Sequence, residues 1–192
     1  GAIEPLVALV RGGSAGAQEQ AAAALTILAA SADNRAIIAQ AGAIEPLVAL
    51  LRGGSAGAQE IAAVALTDLV DIADNQVAIA RAGAIEPLVA LMRLGSPPAR
   101  RAAILTLLSL ARSADTLAAF ARADNLEALI ACTRGEVVEQ ELTFDAFAAL
   151  SSREQKARAR AGSAGSEQAA ALLEALAANS VEIKRAINRA GG

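Results

Sequence analysis

Gly1-Ala-Ile-Glu-Pro-Leu-Val-Ala-Leu, residues 1–9, returns unchanged at 42–50 and again at 83–91, a period of 41 residues. Laid over each other without gaps, residues 1–41 and 42–82 agree at 30 positions and differ at 11. A third copy runs 83–123. A degenerate fourth, 124–161, keeps Leu126, Glu127, Leu129 and Arg134 in register, and a partial copy, 162–192, resumes at Gly162-Ser-Ala-Gly-Ser-Glu-Gln without its opening helix. Fixed self-similarity at this period is the mark of stacked modules.

Each module reads as three helices. The first begins near Ile44-Glu45-Pro46, where proline's missing N–H falls among groups that have no intrahelical partner. Glu45 sits at the positive end of its dipole and Arg52 at the negative end. Gly53-Gly54 ends it. Ser55 then caps a long helix expected to run to about Ile72, as Ser14 and Ser96 do in the neighbouring copies. Asp74 is expected to cap a short helix ending at Ala82-Gly83. Apolar residues fall at helical spacing, and no stretch alternates as a strand does. A unit of this size cannot bury its apolar faces alone, whereas copies laid side by side can. The expected fold is therefore an all-α solenoid, a single body over 1–192, with three regular copies followed by the degenerate and partial ones.

Composition narrows the chemistry. Of 192 residues, 55% are apolar and 19% charged, with no His, Trp or Tyr and one Cys. The sequence thus offers no His-based triad, ordinary zinc site or intrachain disulfide. A net charge of −3 and the lack of aromatic stacking platforms count against nucleic acid. No apolar run is long enough to span a membrane, and no cofactor motif appears: the Gly-rich joints lack the Gly-Lys-Ser/Thr of a phosphate loop. The sequence opens on Gly1 within a repeating pattern, which reads as a fragment or a processed chain.

These motifs resemble the armadillo repeat family: Gly-Ala-Ile-Glu-Pro-Leu-Val-Ala-Leu-Leu-Arg, then Ala65-Leu66-Thr67-Asp68-Leu69, then Asp74-Asn75 and Arg81-Ala82-Gly83. The resemblance spans nearly the whole chain and is strongest over 1–123. It implies a right-handed superhelix whose long helices line a concave groove, a non-enzymatic protein-binding scaffold, and residence in cytoplasm or nucleus. Some members hold extended peptides with an Asn ladder and a Trp one turn earlier. Here the matching positions are Ile27, Asp68 and Ser109, and Ala23, Val64 and Leu105, so neither ladder is present and nuclear-localisation-signal binding is disfavoured.

The first two copies form an internal experiment. Five of their differences, Gln20/Ile61, Ala23/Val64, Ile27/Asp68, Ala30/Asp71 and Ser31/Ile72, fall on one stripe of the long helix, about 100° wide at 100° per residue. Ala17, Ala21, Ala24, Leu25 and Leu28 on the opposing arc are unchanged, as are Glu19, Ala22 and Thr26 on its flank. In the third copy the stripe reads Ala102, Leu105, Ser109, Arg112 and Ser113. One reading makes the stripe a partner-binding groove with Asp68 and Asp71 as an acidic step, suited to a partner with a basic residue beside small apolar ones. The other is neutral drift at solvated positions.

The remaining candidates have structural explanations beside functional ones. The rows Arg11/Arg52/Arg93/Arg134 and Glu4/Glu45/Glu86/Glu127 match helix-dipole ends, although a basic row also suits an anion. Arg153, Lys156, Arg158 and Arg160 form a charged face interrupted by Glu154. Cys132 replaces a repeat Leu and reads as core. Phe120, Phe144 and Phe147 read as space-fillers in the worn region. The missing helix at 162 predicts a swivelled or disordered end. At the other end, Ile3, Leu6, Val7 and Val10 are expected to lie open, which calls either for upstream repeats or for pairing of two copies. Three roles remain: a scaffold binding a protein segment, the substrate-recognition part of a larger ubiquitin ligase, or a purely structural, self-associating repeat.

Overall fold

The computed structural model describes residues 1–113, 116–120 and 170–189, and this part is helical with no strand. Three kinds of helix recur in order. The middle-length helices are α1 (Ile3–Gly12), α4 (Ile44–Gly53) and α7 (Ile85–Leu94); the long ones are α2 (Ala15–Ala29), α5 (Ala56–Leu69) and α8 (Pro97–Ala111). The short ones are α3 (Ala32–Gln40), α6 (Ala73–Arg81) and the turn-length α9 (Leu117–Phe120).

Local chemistry sets these boundaries. Ser14, Ser55 and Ser96 each accept the backbone N–H three residues on, at 3.4, 3.1 and 3.3 Å, and so start the long helices. Each of the first two short helices ends in a Schellman turn. Gly42 N–H donates to Ala39 O at 2.9 Å and Ala43 N–H to Ile38 O at 3.3 Å, and Gly83 and Ala84 repeat the pair on Ala80 and Ile79. The turns need Gly42 and Gly83 at φ +78° and +76°, the left-handed region where a Cβ is strained.

Two expected boundaries are corrected. The long helix of the second copy stops at Leu69, not near Ile72, and Ile72 rather than Asp74 occupies the N-cap position of α6. The cause is the next residue along. The buried Asn75 amide donates to Leu69 O at 2.9 Å, taking a carbonyl that would otherwise continue α5. Asn34 holds Leu28 O at 3.0 Å in the first copy, and the Thr116 hydroxyl holds Leu110 O in the third. Asp74 instead lies in the first turn of α6, where its charge favours the dipole.

The long helices lie side by side and parallel. The Ser96 hydroxyl meets Glu60 at 2.5 Å near the start of the α5–α8 seam, and Thr67 meets Thr106 at 2.9 Å further along. The Ser55 hydroxyl donates to Glu19 at 2.9 Å across the α2–α5 seam. Beneath these ties one apolar cluster runs through all three copies, from Val7, Leu25 and Ile38 through Leu47, Leu66 and Ile79 to Leu88, Leu107 and Phe120. Stacked modules around a continuous core make an α-solenoid.

The opening face also differs from expectation. Ile3, Val7 and Val10 are buried and only Leu6 is half-open, because they pack inward on the helices that follow. The uncovered face is made of Pro5, Leu6 and Leu9 with Ala17, Ala24 and Leu28. Every equivalent one period on (Pro46, Leu47, Leu50, Ala58, Ala65, Leu69) is buried. Leu9 is 45% exposed and Leu50 is 5%.

Among the described residues no single helix is long and apolar enough to cross a membrane. Helices Ala170–Asn179 and Val181–Arg189 contribute Leu172, Leu173, Leu176 and Ile183 to the core, and the Asn179 amide donates to Ala111 O at 3.0 Å at the end of α8. Cys132, Arg134, Phe144, Phe147, the 153–160 charge cluster and the joint at 162 lie outside the described residues.

Candidate functional site

The stripe residues come together on the open side of three adjacent parallel helices. Gln20, Ile27 and Ala30 are exposed and Ala23 half-buried; on α5 and its end, Ile61, Val64 and Asp68 are half-buried and Asp71 exposed. In the third copy Leu105 and Arg112 are exposed and Ser109 half-buried. Ala102 is buried, so it does not belong to the surface: its carbonyl accepts from the hydroxyls of Thr67 and Thr106 in the seam. Ala30, Val70 and Arg112 are helix C-caps, so Ala30, Asp71 and Arg112 rim the long helices rather than lie on their regular arc.

The unchanged flank has its own reason. Ala22 is fully buried, Glu19 receives the Ser55 hydroxyl, and the Thr26 hydroxyl donates to Ala22 O at 3.0 Å. Ala22 and Glu19 serve the core and the seam, and Thr26 bonds within its own helix, so the constancy of Ala22 and Glu19 is no control for drift at solvated positions.

Electrostatics within the stripe are uneven. Asp71, half of the expected acidic step, is already paired with Arg35 at 2.6 Å. Asp68 has no hydrogen bond or ion pair among the described residues. Burial holds its carboxyl above the usual range; the Arg35 charge opposes this and the Asp71 charge adds to it. Asp68 also lies in the last turn of α5, where the helix dipole disfavours a negative charge.

Arg35 was not legible as a site residue. It starts from α3, donates through Nε to Ala29 O at 2.8 Å, and crosses to Asp71. One signal was available: Arg35 and Asp71 stand 36 residues apart, the spacing of the two Ser–Glu ties across the seams.

Within the Arg row, Arg52 has a specific structural role. Arg52 Nη2 donates to Ala82 O at 3.3 Å and Gly83 O at 2.9 Å, closing the end of α6 rather than that of its own helix. Between successive middle helices two equivalent clefts recur, of about 410 and 370 Å³. Arg11, Glu45 and Pro46 line the first, and Arg52, Glu86 and Pro87 the second. Among the described residues no group of three or more His, Cys, Asp or Glu gathers as a metal site.

Parallel three-helix modules, a shared core and one open face of long helices define an α-solenoid. The Armadillo/beta-catenin-like repeat family model matches residues 31–71, which places the family's unit boundary before the short helix α3. Among solved structures, an engineered protein superposes with TM-score 0.73 at 24% identity, over 100% of this chain and 68% of that one. Computationally designed armadillo repeat proteins for modular peptide recognition give TM-score 0.69 at 22% identity, over 99% and 71%. A designed armadillo repeat protein in complex with the peptide (KR)4 gives 0.61 at 22%, over 97% and 82%. No curated protein matches significantly in sequence. Residues 31–71 thus match an armadillo repeat, and the chain as a whole has the fold of armadillo-repeat solenoids.

Proposed function

We propose that this chain is a non-catalytic scaffold that binds an extended protein segment across the open faces of α2, α5 and α8. The observation that carries the reading is the pair Ile27 and Asp68, which share one repeat position. Ile27 is 76% exposed, and Asp68 is a partly desolvated carboxylate at the wrong end of a helix dipole. Neither choice favours the isolated module, and residues that break local rules concentrate where a surface is used. The likeness to designed armadillo proteins for peptide recognition, one of them solved with a basic peptide, supports the same reading.

The test is selection from a random peptide library on the whole chain, followed by Ile27→Asp and Asp68→Arg. Binding of the selected peptides is expected to weaken by tenfold or more in each variant while the helical circular dichroism is kept. Selected peptides that bind both variants as tightly as the parent would remove the groove assignment.

A further inference from the structure

The three copies do not present the same surface to a ligand, and the difference has an order. Copy 1 offers Ile27 at 76% exposure, with Ala23 beside it and no charge between them. Copy 2 offers one free charge: Asp71 is occupied by Arg35, whereas Asp68 has no partner among the described residues. Copy 3 offers Leu105 at 45% exposure and, two turns further, the exposed Arg112, whose guanidinium has no partner among the described residues. Along the stack the free groups therefore run apolar, negative, positive.

We propose that the groove selects an extended segment carrying an apolar side chain, then a cation, then an anion, read from copy 1 to copy 3. This rests on the groove reading above and adds to it a partner composition and an order of side chains along the stack. Charge complementarity fixes the order. A Lys or Arg opposite Asp68 compensates a carboxylate that burial now leaves costly, and an Asp or Glu opposite Arg112 pairs the other unmatched charge, while a segment with its basic and acidic residues exchanged sets like charges together at both positions. Packed helices lie roughly 8–10 Å apart, and an extended chain advances about 3.3 Å per residue. Successive recognised side chains are thus about two or three residues apart. Arg35 narrows the choice further, because its pairing with Asp71 leaves copy 2 needing one cation rather than two.

The test is a panning experiment in which the charges of the protein are exchanged. Randomised dodecapeptides displayed on phage are selected against the whole chain and against Asp68→Lys, Arg112→Glu and Ile27→Asp. The parent is expected to enrich segments with an apolar–basic–acidic order at least tenfold over those in which the basic and acidic residues are exchanged. Asp68→Lys is expected to exchange the basic position for an acidic one, and Arg112→Glu the acidic position for a basic one. A consensus that ignores both exchanges but collapses in Ile27→Asp overturns the charge order and leaves the groove. A consensus indifferent to all three overturns both.

Discussion

Single residues in this chain divide into those that keep the module together and those that work against it. Asp68 belongs to the second group, and its titration gives the sign. Its pKa is raised in the folded state, so the folded chain holds that proton more tightly than the unfolded one. Its cost is absent below the ordinary carboxylate range and appears as pH rises through the raised value. Asp68→Asn is therefore expected to stabilise the protein at pH 7 by a few tenths of a kcal/mol, a small figure because solvent screens a half-open site. The gain should fade on acidification as Asp68 becomes neutral in the parent. Urea midpoints of the two proteins at pH 7 and near pH 4 measure this, and a gain that grows in acid would contradict it. Arg35 works in the opposite direction, holding a carbonyl of its own copy and a carboxylate of the next.

Elements are bounded by side chains reaching across a turn, and this is where sequence and structure part most clearly. The repeat period, the three helices, the Ser caps and the Gly stops were legible because each rests on local chemistry written at a fixed offset. The end of α5 was not. It depends on an amide six residues beyond the carbonyl it holds, a contact that exists only once α6 has turned back. Asn75→Ala leaves the buried Leu69 carbonyl with only the longer bond from Ile72 N–H, at 3.4 Å, and is expected to cost about 0.5–1.5 kcal/mol. Chemical denaturation reads this directly, and a loss below about 0.5 kcal/mol would show that Asn75 is not what closes the helix. At the other end of α6, an alanine at Gly83 would stand at φ +76° with its Cβ 2.5 Å from Arg52 Nη2. Gly83→Ala is expected to cost about 1–2 kcal/mol from backbone strain, with Arg52 free to shift aside. A thermal midpoint equal to the parent's would refute that. The candidate stripe was legible as a set of positions, since copies differ there. Its charge balance was not, because Arg35 enters from a different helix and a different copy.

At the scale of the whole molecule, stability resides in the seams. Pro5, Leu6, Leu9, Ala17, Ala24 and Leu28 are more open than the same residues one period later, where a preceding module lies against them. Joining a further copy of residues 1–41 ahead of Gly1 should bury them as the second copy's equivalents are buried. Apolar burial at about 25 cal/mol per Å² over several such side chains amounts to a few kcal/mol, a rough upper figure. The extended chain is expected to unfold at a higher denaturant concentration, and an unchanged midpoint would mean that the new seam does not form.

The seam ties have a consequence for how such a gene can change. Ser55 meets Glu19, Ser96 meets Glu60 and Asp71 meets Arg35, all at a separation of 36 residues. Unequal recombination that inserts or removes 41 codons within the first two copies therefore keeps the Ser–Glu ties, because both copies carry Ser and Glu at these positions, whereas the Arg35–Asp71 pair belongs to this one junction: Gln76 and Ala30 stand at the equivalent places. Length can vary in whole steps while these hydroxyl–carboxylate ties persist, and selection is left to act on the few inward letters that differ.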